Sequence, residues 1–386
     1  MDSFLDIYQM SFNKHGEELC GDQVRVVKRP ARTMVILSDG LGSGVKANIL
    51  ATMTTEIITT MLRESVDLQE VIDTVIRTLP IDKERLIAYA TFSILTINHE
   101  DCSFQTINFD NPQPFFVKNN KVERLDVQVE RILGKKILIG RGMLGMGDFI
   151  GLISDGVLYA GLGTTMNLGW GWDNIAYYME EVFSKRVFAA HSVVNSVMTV
   201  TNRLYGYQPG DDATFVGVFR RKRNKLMVFT GPPLDNGYDY VPVERFLNFK
   251  GRKVICGGTT ANIIASFLNA EVETDFSSVA EGVPAIGYLP GIDLVTEGII
   301  TLAGVLEALE KSGGKLAQLQ PGHNGVYLLA RELLEADSIE FLVGQSINPV
   351  YQNPLLPKNI SIRRYLVDQI VELLNRYNKD VQVDYY

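Results

Sequence analysis

The hydrophobic pattern opens with short apolar runs and turns to helical spacing after residue 43. CGDQVRVVK and TMVILS read as two strands over residues 20–38, separated by the turn-like RPAR, which Pro30 punctuates. In TMVILSDGLGSGVKANILATM, residues 33–53, an apolar run ends in Asp39 and glycines follow at positions 40, 42 and 44. Leu50, Met53, Thr54, Ile57, Ile58, Met61 and Leu62 then recur at helical intervals and predict one apolar helix face, the helix opening from about Lys46. LQEVIDTVIRTL, residues 68–79, predicts a second helix. ATFSILTIN (90–98) and SFQTINF (103–109) predict strands with HEDC as their hairpin turn, and QPFFVKNNKVERL continues the pattern with KNNK as another turn. DFIGLISDG (148–156) is a strand running into Asp-Gly, residues 173–205 carry one long helical pattern, and ATFVGVF (213–219) is again a strand.

RRKRNK, residues 220–225, breaks this texture and reads either as a solvated basic turn or as an interdomain linker. Beyond it MVFTGPP, KVICGGTTANIIASFLN, the strand-like EVETDF and the helical TEGIITLAGVLEALEK suggest strand–helix alternation, the pattern of an α/β unit. A helix over ISIRRYLVDQIVELLNRY (360–377) and a polar tail close the sequence, and NPVYQNPLLP reads as a surface loop. TGPPLDNGYDY and YLPGIDLVTEG combine turn residues with aromatics, as the border of a ligand cleft would.

Composition narrows the function classes. A chain of 386 residues with 46% apolar positions has room for two ordinary domains with full cores. No apolar run approaches the roughly 18 residues of a membrane span, and the first twenty residues lack the basic-then-apolar order of a signal peptide. A net charge of -8 argues against general nucleic-acid binding. Cys20, Cys102 and Cys256 form no CxxC pair, so a reduced cytoplasmic setting is expected. The histidines, at 15, 99, 191 and 323, are too scattered for a zinc site of short spacing, which leaves carboxylates as the metal-ligand candidates.

Gly42-Ser43-Gly44-Val45-Lys46-Ala47 fits a loose dinucleotide fingerprint, but a second helix follows where the fingerprint needs a parallel strand and its acid. The phosphate-loop pattern is absent. The acids are more informative. VILSDG and GLISDG each end an apolar run in Ser-Asp-Gly, GDDATFVGVF sets an acidic pair before a strand, and CGDQVRV begins one. Each Asp-Gly alone is an ordinary turn. Together, carboxylates at strand ends can converge on one rim and suit a hard cation such as Mg2+ or Mn2+. Glycine after the aspartate would let a main-chain carbonyl approach the ion.

These pieces resemble the metal-dependent protein phosphatases (PPM), in the bacterial branch typified by the sporulation stage II E phosphatase. CGDQ, VILSDGLGSGVKA, NFDNPQPFFV, MGDFIGLISDGV and GDDATFVGV occur in family order over about residues 1–220. GDQVRV lacks the aromatic that often follows the first Gly-Asp in the family. The resemblance implies an α+β fold, an α-β-β-α sandwich of two antiparallel sheets, over residues 1–220. A smaller α/β domain at 226–386 would follow it. The resemblance also implies two Mn2+ or Mg2+ ions, with Asp39 bridging them and the Gly40 carbonyl on one. Asp22 would serve the second ion, and Asp155 and Asp211 would complete the first. Asp212 would orient the site or bind a third, weaker ion. Asp39, Asp155 and Asp211 are then the catalytic candidates, and water activated by the ions would attack phosphorus in line. The implied substrate is a phosphoserine or phosphothreonine protein. A small phosphate ester, or a catalytically silent phosphatase-like binding protein, are the alternatives. No nucleic-acid or membrane partner is implied. Cys20 reads as a small buried apolar residue, and Lys14 and His15 as surface residues.

Residues 226–386 match no family by eye. Gly257, Gly258, Thr259 and Thr260 lie between a strand and a helix, where free N–H groups and hydroxyls would accept an anion. The plainer reading is a helix capped by Thr259 or Thr260. Cys256 reads as a buried strand residue, with a thiol activated by the helix dipole as the other possibility. Bacterial members of the phosphatase branch often carry a regulatory module. By that analogy this half is expected to sense a small-molecule or protein regulator.

Overall fold

The computed structural model describes residues 3–64, 66–78, 90–187, 189–232, 240–346 and 362–386. The chain divides into two compact units between Lys222 and Arg223, inside the basic stretch RRKRNK. Among the described residues no helix is long and apolar enough to cross a membrane.

The first unit runs β1 (Ser3–Phe12), β2 (Asp22–Lys28), β3 (Arg32–Gly40), α1 (Gly44–Arg63), α2 (Leu68–Thr78), β4 (Ala90–Asn98), β5 (Ser103–Phe109), β6 (Phe115–Lys118), β7 (Lys121–Glu123), β8 (Val127–Ile132), β9 (Lys135–Met143), β10 (Phe149–Ile153), α3 (Asp155–Leu158), α4 (Trp172–Ser184), α5 (Ala190–Leu204) and β11 (Ala213–Lys222). Two antiparallel sheets, β1-β11-β10-β6-β7 and β2-β3-β4-β5-β9-β8, stack face to face. Strand β3 shows why its sequence is a run rather than an alternation. Met34 and Ile36 pack with Ile58, Leu62 and Val71 of α1 and α2, while Val35 and Leu37 pack with Ile150, Leu152, Val216 and Val218 of the other sheet. A strand covered on both faces has no polar face to show. Phe149 and Phe215 turn outward to meet Phe183, Val193 and Val197 of α4 and α5, which completes four layers.

Several elements differ from the sequence expectation. The single helical pattern over 173–205 is two helices, because the chain breaks at Lys185 and takes a left-handed turn at Arg186, φ 58°. Both helices pack on one core, so the apolar spacing carries across the break. Helix α1 opens at Gly44, two residues before Lys46, with extended Ser43 as its N-cap residue. Strand β1 went unread, although it pairs with β11 over its whole length, Ser3 opposite Lys222 to Phe12 opposite Ala213. Strands β8 and β9 were unread too. The KNNK turn is a two-residue hairpin with Asn119 and Asn120 both at positive φ, which asparagine tolerates.

The second unit runs β12 (Lys225–Thr230), α6 (Tyr240–Asn248), β13 (Arg252–Cys256), α7 (Gly258–Leu268), β14 (Glu273–Asp275), β15 (Ile286–Tyr288), β16 (Leu294–Thr296), α8 (Ile299–Ser312), α9 (Gly325–Glu335), β17 (Ser338–Val343), α10 (Ile362–Arg376) and β18 (Asp380–Tyr385). Its sheet has the order β14-β15-β16-β13-β12-β17-β18, parallel from β16 to β18 with an antiparallel hairpin at one edge. Leu226 and Val228 face α8, α9 and α10, and Met227 and Phe229 face α6 and α7. The expected polar tail is strand β18: Val381, Val383 and Tyr385 pack on the core at alternate positions, and the polar residues between them hide the period. NPVYQNPLLP, residues 233–239 of TGPPLDNGYDY, Leu79, and the first two residues expected in the last helix lie outside the described residues.

Candidate metal centre

Five aspartates meet at one rim of the first unit's sandwich. Asp22 opens β2 and stands directly opposite Asp39, near the end of β3. Like charges placed opposite each other on antiparallel strands repel. Asp155 opens the short α3 after β10, and Asp211 and Asp212 immediately precede β11. Two strands of each sheet therefore bring their ends to the same place. Asp22 and Asp212 are buried, while Asp39, Asp155 and Asp211 are half-buried and keep a face toward solvent.

One hydroxyl ties the sheets together here. Ser154 Oγ donates to Asp22 Oδ2 at 2.7 Å and accepts the Thr214 N–H at 2.9 Å. Asp212 Oδ1 accepts the main-chain N–H of Lys14 at 3.0 Å, and Asp211 Oδ1 accepts that of Asp212 at 3.0 Å. Tyr205 donates its hydroxyl to the Gly156 carbonyl at 2.7 Å, which fixes the turn that carries Asp155. Three glycines let these segments touch. A Cβ on Gly156 would lie 2.0 Å from the Asp212 carbonyl oxygen, one on Gly40 2.1 Å from the Ala47 carbonyl oxygen, and one on Gly21 2.7 Å from Asp212 Oδ2. Close backbone packing is thus an immediate reason for glycine after both Asp39 and Asp155.

The electrostatics are those of crowded acids. Burial, then the charges of Asp22 and Asp155, a hydrogen bond with Asp155 and the charge of Asp211, push Asp39 up to about 10. Burial pushes Asp22 up to about 7, against the pull of hydrogen bonds from Ser154 and Thr214 and with the charges of Asp212 and Asp155 adding to the rise. Asp155 and Asp211 are also raised, chiefly by burial. Asp39 and Asp155 act on each other's proton affinity, which places the two carboxyls side by side at the rim. The charge of Lys14 offsets part of the rise at Asp211, and its main-chain N–H reaches Asp212.

Among the described residues, no group of three or more His, Cys, Asp or Glu side chains is arranged to hold a metal ion as it stands. The donor set nonetheless suits one. Asp22 Oδ1 and Asp212 Oδ2 are buried without a hydrogen-bond partner, and Asp22, Asp39, Asp155 and Asp211 are all raised. Buried carboxyls in this state are neutralised by a proton or by a cation, and all-oxygen donors fit a hard cation. Cys20 is no nucleophile: burial, then the charge of Asp22, push its thiol up to about 12.

Sequence reading missed the supports. Ser154 is the serine of GLISDG, and its twin in VILSDG, Ser38, donates to the Thr91 carbonyl at 2.9 Å, so the repeated Ser-Asp-Gly was the available signal. NFDNPQP proves to be an amide brace. Asn111 accepts from Thr91, which stands opposite Asp39, and donates to Ser93 at 3.3 Å, while Asn108 donates to the Pro112 carbonyl at 2.7 Å. Gly257, Gly258, Thr259 and Thr260 belong to the second unit and open α7. The N-cap is Gly257 and not Thr259 or Thr260, and no side chain caps it. Burial pushes Cys256 up to about 12, and its thiol donates to the Glu297 carbonyl at 3.1 Å, which removes the activated-thiol alternative.

The family model for stage II sporulation protein E matches residues 29–221. No curated protein matches the chain. Among solved structures, the PP2C phosphatase domain of SpoIIE from Bacillus subtilis with a fragment of its regulatory domain is 18% identical. That alignment covers 57% of this chain and 65% of that one at a TM-score of 0.49, so the match spans less than two thirds of it. The same phosphatase domain in a crystal form without domain swapping is 18% identical over 57% of this chain and 94% of that one, TM-score 0.44. RsbX in complex with magnesium is 19% identical over 55% and 94%, TM-score 0.42.

Proposed function

Because the chain belongs to the stage II sporulation protein E family, with a PP2C-like phosphatase domain over residues 29–221, we propose that its first unit is a Mn2+- or Mg2+-dependent phosphatase acting on phosphoserine or phosphothreonine in a protein. One observation carries the reading: five aspartates from four strand ends crowd one rim, two of them with buried oxygens that have no partner. Asp39, Asp155 and Asp211 would hold one ion and Asp39 with Asp22 the other, with the Gly40 carbonyl on one of the two. Asp212 would orient the site or take a third, weaker ion. Bound there, the ions would neutralise phosphoryl oxygens and lower the pKa of water toward neutrality.

The chain's own residues account for the rest. Ser154 holds Asp22, and the Lys14 main chain holds Asp212, so neither carboxylate swings away from the rim. Tyr205 keeps the Asp155 turn rigid through the Gly156 carbonyl. The half-buried acids face solvent, the side from which a phosphate ester arrives.

Hydrolysis of p-nitrophenyl phosphate by the full chain, with and without Mn2+, tests the reading. Metal-dependent turnover supports the enzyme, and a preference for phosphoproteins over small esters supports the substrate class. Absence of turnover with Mn2+ bound would leave a silent phosphatase-like binding protein. For the second unit we propose a regulatory role, taking up a small molecule or protein that alters the rate.

A further inference from the structure

In the second unit the last residues of four parallel strands form one row: Thr296, Cys256, Thr230 and Val343 are register partners in turn. A glycine follows each within two residues, at Gly298, Gly257, Gly231 and Gly344. Helices α7 and α8 start side by side from this row with Gly257 and Gly298 as N-caps. A Cβ on Gly298 would lie 3.5 Å from the Gly257 Cα. The two helix ends are treated differently. At α8 the carboxylate of Glu297 accepts the Ile300 N–H at 3.0 Å, so the chain supplies its own anion. At α7 no side chain caps the helix, and Gly258 and Thr259 are exposed.

A hydroxyl stands at the bare end, and a second hydroxyl and a guanidinium stand further along the same row of strand ends. Thr260, third residue of α7, is fully buried, and its Oγ1 lies 3.5 Å from where a Gly257 Cβ would stand, turned back to the mouth of the helix. That oxygen has no hydrogen-bond partner, nor has the buried Oγ1 of Thr230 on the neighbouring strand end. Arg363, from α10, crosses the ends of β12 and β17. Its Nη1 donates to the carbonyls of Gly344 at 3.2 Å and Ser346 at 3.3 Å, and it occupies the space beside Gly231 that a Cβ would need. Among the described residues no carboxylate pairs with Arg363. Glu297, whose charge reaches it, is engaged at α8. The chain leaves β12 for β13 on one side and returns to β17 on the other, so this crevice is the switch point at which open parallel sheets take ligands.

We propose that this edge binds a small molecule through a phosphate group, held by the first-turn N–H groups of α7, the Thr260 hydroxyl and Arg363. A carboxylate is served by one helix N–H, as Glu297 is. A helix end, hydroxyls and a guanidinium together offer what the three terminal oxygens of a phosphate accept. The site supplies the chemistry for the ligand-sensing role proposed above and rests on that role only for its consequence.

The test is calorimetric titration of the full chain carrying Asp39→Asn, without added divalent metal, with inorganic phosphate and with AMP. The metal centre then contributes neither turnover nor metal-bound phosphate, and failure of the phosphatase reading cannot be mistaken for failure of this one. Saturable binding of one equivalent is expected, weakened at least about tenfold by adding Arg363→Ala or Thr260→Val. Thr260→Val removes an unpartnered hydroxyl without changing volume, so the variant should melt no lower than its parent. A lower melting temperature would mark Thr260 as a structural residue. No binding of either probe up to about 10 mM, or binding unchanged in both variants, overturns the proposal.

Discussion

The two units place opposite chemistry at the ends of their strands. In the antiparallel sandwich, side chains converge: Asp22 and Asp39 face each other across a hairpin, and Asp155, Asp211 and Asp212 join them from the other sheet. In the parallel sheet, backbone converges, because parallel strands send every carboxyl end, and every following helix N-terminus, to one edge. The first arrangement gathers negative charge and suits a cation. The second gathers donors and suits an anion. A cation site built from side chains stores repulsion in the fold until it is filled, whereas a donor site built from helix ends stores little.

The sharpest way to break this contrast is Asp39→Asn. Metal-dependent hydrolysis should fall by about a thousandfold or more, since the residue at the centre of the acid cluster is lost. The same variant should raise the melting temperature of the metal-free chain by a few degrees, roughly what relief of about 1 kcal/mol of repulsion gives. A variant that keeps its rate, or that melts lower without metal, would undo the assignment of Asp39. Gly40→Ala comes next. Its Cβ would meet the Ala47 carbonyl oxygen at 2.1 Å, a backbone atom that cannot step aside, so urea unfolding should report a loss of about 2–4 kcal/mol.

Ser154→Ala sharpens the comparison further, because it removes a support and leaves all five acids in place. Asp22 Oδ2 and the Thr214 N–H both lose their partner, and a cost of about 1–3 kcal/mol is expected in urea unfolding. Mn2+ affinity, followed by titration calorimetry, should fall about tenfold. The pH dependence is gentler. Asp39 binds its proton at about 10 in the folded chain against an ordinary 3.8, so folding takes up a proton between those values. The stabilisation is complete below the ordinary value and is lost as pH rises toward the folded one. The melting temperature of the chelated protein should therefore decline from about pH 6 to about pH 9, and Asp39→Asn should flatten that decline. An equal slope in both proteins would contradict the raised affinity of Asp39.

How much of this was legible in the sequence differs between the units for a physical reason. Asp-Gly after a buried strand leaves a strong local signature, so VILSDG and GLISDG gave the rim and Asp39 and Asp155 on it. Ser154 was marked by the repeated Ser-Asp-Gly, but nothing local said that its hydroxyl reaches Asp22 across 132 positions of chain, and Lys14 was invisible because it acts across 198 positions through a main-chain N–H that any sequence carries. Strand β18 was lost because its apolar side is only Val381, Val383 and Tyr385, spaced by polar residues on a sheet edge. Gly257–Thr260 was readable as a helix start, yet the cap fell on glycine. Only the placement of Gly298 and Glu297 beside it distinguishes a bare helix end from a filled one.

Gly258→Ala gives the smallest expected effect and separates the two uses of glycine. Nothing stands within 4 Å of the Cβ it would add, and unlike Gly257 it has no positive φ to lose. Alanine is the better helix former, so stability should stay level or rise by about 0.5–1 kcal/mol, opposite in sign to Gly40→Ala. If the glycine is kept for close approach of a ligand to the helix N–H groups, the same methyl should still weaken phosphate binding, in calorimetry on the Asp39→Asn background. A variant that is both more stable and equally able to bind phosphate would show that the second unit's edge does not use its backbone at Gly258. The contact would then fall on Thr260 and Arg363, whose variants already measure it.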